Sequence, residues 1–430
     1  MNDGAPANSG FPALRISYLV QQFPMPTQTF AVSDVDALIA QGHHVSVYTL
    51  KPPRRHEGVL SRSSRVPSQL RVHRPSWKGA RTWPKLMLRR GHAAWLAKHI
   101  LRHWRSAPIT CLQSLLCIPR ILEIAEQVSR SKSDVVHAFW SRHVGLVLPI
   151  LKIDNFSAIR SAFIGAYDLV ADDFIVDMTA EAAEILFSHA EVNRPFLERK
   201  VSSAGWIEIV HRGIPLMDVP VGRRDPLRLV TASALVRSKN VEAVIRGFAE
   251  ASAEESGMTL QIYGDGPDRP RLERLAQQLT RSASVTFAGH VPRDELFAAM
   301  QSASIFLSLS KKPSERLPNV LKEALWAGCA VISADTKGIE ELVADPSMGM
   351  IVQPDDTQGI ATAISRLLTE SRIDAERRRE RARAFIVAHY SSAASMRSYV
   401  NAWLRRMQSQ ALSLGDDLVR FKSPSDPNWV

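Results

Sequence analysis

The sequence predicts an α/β protein built from two doubly wound domains. A chain of 430 residues with 45% hydrophobic residues is long enough to form two cores. Apolar runs at 14–20 and 45–50 flank a helical pattern at 29–40, an order typical of the start of a doubly wound sheet. A similar alternation of strand and helix patterns begins again at 228–232, so the chain is predicted to hold two such sheets.

Proline and glycine residues mark the expected boundary between these domains. Residues 217–226 contain Pro220, Gly222 and Pro226 and are predicted to be a linker. Within the first domain, another helix is predicted at 182–190. The predicted order is a flexible tail (1–13), a first domain (14–216), the linker (217–226), a second domain (227–390), a final helix (391–413) and a second tail (414–430).

Composition restricts the expected partners and compartment. The formal net charge of +11 favours anionic partners, such as a nucleotide-sugar, an anionic membrane or nucleic acid. The chain has 3 cysteines, which predict neither a disulfide framework nor a metal site. No apolar run reaches the roughly 20 residues that span a bilayer, and residues 1–13 lack the pattern of a secretory signal. We therefore expect a cytoplasmic protein.

The stretch from Ser314 to Ala334 is predicted to form a loop, a short helix and a buried strand. Apolar residues recur at helical spacing, and Gly328 is a natural end for the helix. Pro318 and Asn319 suit the helix start, because proline loses no needed N–H group there and asparagine can cap. Small and β-branched residues then predict a strand covered on both faces.

Two glutamates on this stretch are candidate binding residues. Glu315 lies before the helix and Glu323 on it, with seven residues between them. A helix N-terminus has free N–H groups and suits phosphate, while a carboxylate can accept hydrogen bonds from two hydroxyl groups of a sugar. The unit could therefore hold a sugar, a diphosphate and a ribose together. The alternative is a pair of solvated helix charges.

This pattern resembles the signature of retaining GT-B glycosyltransferases, a superfamily that includes glycogen and sucrose synthases and many bacterial polysaccharide enzymes. The shared features are the two glutamates, Leu-Pro-Asn-Val between them and Ala-x-x-x-Gly after them. The resemblance implies two Rossmann-like domains that face a central cleft, with the final helix crossing back to the first domain. It also implies that Glu315 contacts the donor sugar, that the backbone at Asn319 and Val320 contacts the diphosphate, and that Glu323 holds the ribose.

The N-terminal loop strengthens the resemblance. Phe23 to Phe30 reads Phe-Pro-Met-Pro-Thr-Gln-Thr-Phe and is similar to the "FP-x-x-SETF" opening of exopolysaccharide and colanic-acid type glycosyltransferases. In those relatives the loop faces the donor diphosphate, which makes Thr27 and Thr29 candidates for that contact. The alternative is that either threonine caps the following helix.

Other donor-side residues follow from the same resemblance. Lys239 matches a lysine that neutralises the donor phosphates in relatives, whereas Ala234 stands where they have an arginine. Arg237 is the candidate substitute, although a shifted guanidinium does not meet the phosphate identically. The resemblance also places the nucleotide base against the backbone of Gly289, His290 and Val291.

The first domain departs from the family at one position. Residues 160–169 align with the motif "T-x-H-G-x-D", but Gly165 occupies the histidine position, and relatives have that imidazole near the reacting sugar. Asp168 matches the motif and is predicted to orient an acceptor-side loop. The alternative is a buried aspartate that caps a helix.

Residues 51–105 form a basic, tryptophan-rich insert in the first domain. Glu57 is its only acidic residue, and Trp77, Trp83, Trp95 and Trp104 lie among its lysines and arginines. We hypothesise that the insert docks on the anionic inner face of the membrane, near a lipid-linked acceptor. The alternative is a solvated loop and helix pair. No zinc-finger or RNA-recognition motif accompanies the insert, which argues against nucleic acid as a partner.

The resemblance implies a glycosyltransferase that moves a sugar, with retention, from a nucleotide-diphosphate sugar to a saccharide or lipid-linked saccharide. The expected setting is exopolysaccharide or capsule biosynthesis, with no metal and no tightly bound cofactor. One alternative is a nucleotide-sugar epimerase, which shares the GT-B fold. Another is a scaffold or binding protein that has lost catalysis, an alternative suggested by Gly165 and Ala234.

Overall fold

The computed structural model describes residues 12–413, except for residues 25–28, 53–69, 76–89, 172, 204, 218–223, 281–283, 313–314, 344 and 347. Most of the predicted insert, most of the predicted linker and most of both predicted tails therefore lie outside the described residues. The chain divides into two compact units. The first comprises residues 1–189, 193–211 and 395–430, and the second comprises residues 190–192 and 212–394.

The first unit is built on a sheet of seven parallel strands. The strands are β1 (Arg15–Val20), β2 (His44–Thr49), β3 (Arg71–His73), β4 (Val135–Phe139), β5 (Ile159–Phe163), β6 (Ile185–Ser188) and β7 (Trp206–Ile209). Their order is β3-β2-β1-β4-β5-β6-β7. The order changes direction between β1 and β4, and ligands of such sheets bind beyond the carboxyl ends of the strands at this point.

Helices connect these strands. They are α1 (Thr29–Ala40), α2 (Arg90–Leu101), α3 (Pro108–Arg130), α4 (Val147–Ile153), α5 (Ala166–Ala171), α6 (Phe174–Ala182) and α7 (Arg194–Glu198). Along β1, Tyr18 and Val20 pack into an apolar cluster with α1, whereas Leu19 packs into the cluster on the opposite face. Because both faces of the strand are buried, its sequence is a continuous apolar run rather than an alternating one.

The second unit contains a sheet of six parallel strands. Its elements are β8 (Asp225–Ala232), α8 (Val241–Glu254), β9 (Thr259–Tyr263), α9 (Arg269–Leu279), β10 (Val285–Gly289), α10 (Arg293–Ser302), β11 (Ala303–Ser308), α11 (Asn319–Ala327), β12 (Ala330–Ala334), β13 (Gly349–Val352), α12 (Thr357–Leu368) and α13 (Arg372–Tyr390). The strand order is β10-β9-β8-β11-β12-β13, so this sheet changes direction between β8 and β11. The two doubly wound α/β sheets predicted from the sequence are confirmed.

The final helix, α14 (Ser392–Ser413), belongs to the first unit from Ser395 onward. It packs on the same sheet face as α1. The indole Nε1 of Trp403 donates a hydrogen bond to Ser161 Oγ at 3.0 Å, and the ring of Tyr399 stacks on Phe187 with the centroids 4.0 Å apart. A buried aromatic layer therefore fixes the C-terminal helix on the first sheet.

One predicted helix is wrong. Residues 185–188, inside the helix predicted at 182–190, form the buried strand β6, which lies between β5 and β7. A short apolar run in a buried strand has no period that distinguishes it from a buried helix segment, so local sequence could not decide.

Among the described residues, α3 is the one helix that is long and apolar enough to cross a membrane, judged by length and composition alone. The prediction that no apolar run reaches the length needed to span a bilayer is therefore wrong for residues 108–130. Of the most apolar 18-residue window of this helix, 33% is buried within the first unit. The second half of α3 places Ile121, Ile124 and Val128 in the core of the first unit.

Candidate functional site

The candidate donor site lies in the second unit, at the carboxyl ends of β8 and β11. These neighbouring strands lead into the loop segments 233–240 and 309–312, at the point where the strand order changes direction. The loops are joined directly, because the Lys311 N–H donates to the Ser238 carbonyl oxygen at 2.9 Å and Ser310 Oγ donates to the same oxygen at 3.3 Å. The fold therefore places Lys239 and Glu315 on adjacent segments.

Lys239 and Glu315 form an ion pair between the Lys239 Nζ and a carboxylate oxygen of Glu315. Each side chain is 22% exposed, so a ligand can reach both groups. Lys239 ends a short 3-10 turn, and Asn240 follows in the left-handed conformation at φ 53° before α8 begins. The Asn240 side chain donates to the Pro354 carbonyl oxygen at 2.7 Å, which fixes this turn.

Arg237 begins the same 3-10 turn, and its side chain is exposed. Its charge acts on Asp268, whose pKa is held below its usual range first by hydrogen bonds from Arg271 and to a smaller extent by the charge of Arg237. Ala234, which stands at the family arginine position, is exposed on this loop. The loop thus carries two cationic side chains, Arg237 and Lys239, of which Lys239 contacts Glu315.

One glycine near this site, Gly264, allows two backbone segments to pack closely. Gly264 has φ +112°, and a Cβ atom there would overlap the carbonyl oxygen of Ser233. The neighbouring segments are joined by the Leu235 N–H, which donates to the Asp265 carbonyl oxygen at 2.9 Å. Gly264 therefore serves the close packing of the loop that precedes Lys239.

The start of α11 differs from the prediction in one respect. Pro318 occupies the capping position, Asn319 is the first helical residue, and the Asn319 side chain does not cap the helix. Its Oδ1 atom instead accepts a hydrogen bond from Lys322 Nζ at 3.1 Å. Asn319 and Val320 are thus the first two helical positions, where N–H groups have no intrahelical acceptor. Gly328, with φ +93°, ends the helix as predicted.

Lys322 is a buried residue of this segment that sequence reasoning missed. Its Nζ donates to the Arg212 carbonyl oxygen at 2.8 Å and lies 5.3 Å from the centre of the Tyr390 ring. Burial is the main cause that lowers the pKa of Lys322 to about 7. The signal available in the sequence was its position three residues after Asn319, which places the two side chains next to each other on a helix.

Glu323 is held by a cation from another helix. Arg293, the first residue of α10, donates to one carboxylate oxygen of Glu323 from Nη2 at 2.6 Å and from Nε at 3.1 Å. Because Arg293 closely follows Gly289, His290 and Val291, Glu323 lies beside the segment predicted to contact the base. Of these, His290 is exposed and Val291 is half-buried. Sequence reasoning missed Arg293.

The candidate acceptor-side residues lie in the first unit. The Gly165 N–H donates to Asp168 Oδ2 at 2.9 Å, so Asp168 reaches back from the first turn of α5 to the residue before the helix. This contact fits the helix-capping alternative, while Ser141, in the loop after β4, also donates a hydrogen bond to Asp168. The predicted role of Asp168 in orienting an acceptor-side loop therefore stays a prediction. Burial raises the pKa of Asp168 to about 6.

Gly165 is enclosed by aromatic side chains. A Cβ atom at this position would lie 2.8 Å from Phe163 Cε1 and 2.9 Å from Trp140 Nε1, closer than real Cβ contacts. A histidine at position 165 therefore does not fit without movement of these rings. His189, at the end of β6, is a mostly buried imidazole near this edge, with its ring centroid 5.8 Å from that of Phe163. Sequence reasoning did not single it out.

Thr27 and Thr29 are the two residues of the first unit that were predicted to contact the donor diphosphate. Thr27 lies outside the described residues, and Thr29 is the first residue of α1. Both remain predictions.

Within the part of the chain that the structure describes, no group of three or more His, Cys, Asp or Glu side chains is placed to hold a metal ion.

Comparisons with known proteins agree with this architecture. Residues 219–385 match the family described as glycosyl transferases group 1. The chain is 23% identical over 394 residues to the putative colanic acid biosynthesis glycosyltransferase WcaL of Salmonella typhimurium, which covers 84% of this chain and 91% of that protein. It is 31% identical over 193 residues to the exopolysaccharide phosphotransferase SCO2592 of Streptomyces coelicolor, which covers 44% of this chain but only 20% of that relative.

A solved structure shows the same fold. HepE from Anabaena, in complex with UDP, aligns with a TM-score of 0.64 and 14% sequence identity, covering 92% of this chain and 100% of HepE. The chain thus has the two-domain α/β GT-B fold predicted from its sequence. The family match covers the unit that carries Lys239, Glu315 and Glu323, and the chain is similar in sequence to glycosyltransferases of exopolysaccharide biosynthesis.

The buried Lys322 makes the free energy of unfolding depend on pH. Its pKa is about 7 in the folded state against an ordinary 10.5, so between these values the unfolded chain binds more protons and stability rises with pH. Relative to Lys322→Met, the wild type should gain up to about 1.4 kcal/mol per pH unit across this window, measured by urea unfolding. Lys337→Met, at an exposed position, is the control. A difference between wild type and Lys322→Met that stays constant with pH would contradict the assignment.

The crowding around Gly165 predicts that even a methyl group is unfavourable there. Gly165→Ala should destabilise the fold by about 1–3 kcal/mol, because Phe163 and Trp140 must move. The matched control is Gly91→Ala in α2, where an added Cβ meets no atom within 4 Å. Thermal unfolding of both variants decides the point, and equal melting temperatures would refute the crowding argument.

Proposed function

We propose that this protein transfers a sugar from a nucleotide-diphosphate sugar to a saccharide or lipid-linked saccharide acceptor, in exopolysaccharide or capsule-type biosynthesis. The observation that carries the proposal is the Lys239–Glu315 ion pair beside the loop–helix segment that also bears Glu323. The names of the relatives support the class of product. HepE, which shares the fold, was solved with UDP-glucose, which supports the class of donor.

The donor diphosphate would bind at the start of α11. The N–H groups of Asn319 and Val320 point out of the first turn, and the helix dipole favours an anion there. Lys239 and Arg237 would add positive charge from the adjacent loop. A phosphate that pairs with Lys239 would compete with Glu315 and release the Glu315 carboxylate to accept hydrogen bonds from sugar hydroxyls.

Glu323 would hold the ribose hydroxyl groups. Arg293 fixes the carboxylate through one of its oxygens, which orients it on the solvent-accessible side of α11. The side chain of Glu323 is 16% exposed, so the carboxylate is still reachable. The backbone of Gly289, His290 and Val291, just before Arg293, would then contact the base.

We propose that the anomeric configuration is retained. The bond between the anomeric carbon and the phosphate oxygen breaks, a bond to the acceptor oxygen forms on the same face, and the proton of the acceptor hydroxyl passes to the leaving phosphate. Lys239, Arg237 and the dipole of α11 stabilise the charge that develops on the leaving diphosphate, without a metal ion. This reaction mechanism requires no imidazole at position 165, where the rings of Phe163 and Trp140 leave no room for one.

We further propose a cytoplasmic location at the inner face of the membrane. All 3 cysteines of the chain are free thiols, which suits a reducing compartment. A nucleotide-sugar epimerase or a scaffold protein without catalysis would share the fold, and the experiment below separates these functions.

A thermal-shift screen with UDP-, GDP- and ADP-sugars tests donor binding. One donor should stabilise the folded state, by about 2.7 kcal/mol at roughly 100 times its Kd. Glu323→Ala should reduce this stabilisation strongly, because the ribose hydroxyl groups lose their acceptor, whereas Glu340→Ala at an exposed position should not.

Turnover assays with the stabilising donor then separate the functions. Transfer to added saccharide, with the anomeric configuration checked by NMR, supports the proposal. Conversion of the donor sugar without an acceptor would indicate an epimerase. If no nucleotide-sugar raises the melting temperature, the scaffold alternative holds and the proposed function fails.

A further inference from the structure

The corner between α2 and α3 exposes an unusual number of large apolar side chains. We call this surface the α2–α3 corner, and it comprises Leu101, Trp104, Ile109, Leu112 and Leu116. Their exposed fractions are 49%, 46%, 72%, 52% and 74%. Single apolar residues are common on protein surfaces, but an exposed group concentrated within residues 101–116 is a candidate interaction site.

The rest of α3 explains why these side chains point outward. Ile109, Leu112 and Leu116 recur at helical spacing and share one face, while Cys111 and Ser114 on the other side are buried. The thiol of Cys111 donates to the Ile100 carbonyl oxygen at 3.2 Å, which ties the start of α3 to the end of α2. The corner is therefore held by buried contacts on its inner side, and its apolar face stays exposed.

The charge of the corner favours an anionic partner. No aspartate or glutamate occurs between Glu57 and Glu123 in the sequence. Arg102 and Arg105 lie between the apolar residues, and both are exposed, as is Lys98 on α2. A symmetric contact with a second copy of this chain would bring these cations face to face, whereas phosphate headgroups would neutralise them.

We propose that the α2–α3 corner docks on an anionic phospholipid bilayer. The apolar side chains and Trp104 enter the headgroup region, where an indole ring is favoured, and Arg102 and Arg105 contact lipid phosphates. The second half of α3 stays in the protein core, so the helix lies on the membrane and does not cross it. This goes beyond the proposed sugar transfer, since it names the surface that would bring the first unit to a lipid-linked acceptor.

Vesicle co-sedimentation of the full chain, without donor or acceptor, tests the proposal independently of catalysis. The wild type should bind vesicles that contain about one third phosphatidylglycerol at roughly 0.05 M salt, and bind phosphatidylcholine vesicles weakly. The combined change Ile109→Glu and Leu116→Glu should lower binding about tenfold or more, since two carboxylates would enter an anionic interface. Arg102→Gln with Arg105→Gln should remove most of the salt dependence.

The matched control changes two exposed apolar residues outside the corner. Ile373→Glu with Leu412→Glu, at positions 65% and 83% exposed, should bind vesicles like the wild type. Circular dichroism and melting temperature establish that each variant is folded. The proposal fails if the wild type ignores anionic vesicles, or if the Ile109 and Leu116 variant binds them as well as the wild type does. A dimer in gel filtration that only this variant dissociates, with no vesicle binding by the wild type, would instead assign the corner to a second copy.

Discussion

A buried ammonium group determines how the start of α11 is presented. Lys322 is removed from water, and hydrogen bonds to the Arg212 carbonyl and the Asn319 side chain offset the cost of its burial. The Tyr390 ring adds a favourable contact. Asn319 is the first helical residue rather than the cap, and its side chain accepts a hydrogen bond from Lys322 instead of bonding to the helix backbone. The N–H groups of the first turn stay available, so a lysine in the core would prepare the proposed phosphate site without lining it.

The two glutamates of the segment are both paired with cations. Glu315 contacts Lys239, and Glu323 contacts Arg293. Partly exposed pairs of this kind contribute little to stability, on the order of 0–1 kcal/mol. In the proposed site their value would lie in placement, because each carboxylate would be held near its expected ligand group. A ligand that carries phosphates and hydroxyls together would satisfy both halves of the proposed site, which a simple anion would not.

Local patterns in the sequence predicted the elements that depend on local physics. The first two strands and α1 were predicted within one residue, and Gly328 was predicted as the end of α11. Other features depend on partners distant in the sequence. The strand at Ile185–Ser188 is decided by its neighbours in the sheet, and the contact of Arg293 with Glu323 joins residues 30 positions apart. The role of Asn319 likewise followed from a buried lysine, which helix-capping preferences do not consider.

The two departures from the family pattern differ in physical kind. Ala234 and Arg237 are both exposed on one loop, so a cation displaced by three residues still lies on the loop that leads to Lys239, although it would not meet a phosphate identically. Gly165 is enclosed, and Trp140 and Phe163 fill the space that a side chain would need. The aromatic packing compensates for the missing imidazole in volume but not in chemistry. If the leaving phosphate accepts the acceptor's proton, that chemistry is not needed, and the donor-side cations and helix dipole carry the main part of transition-state stabilisation.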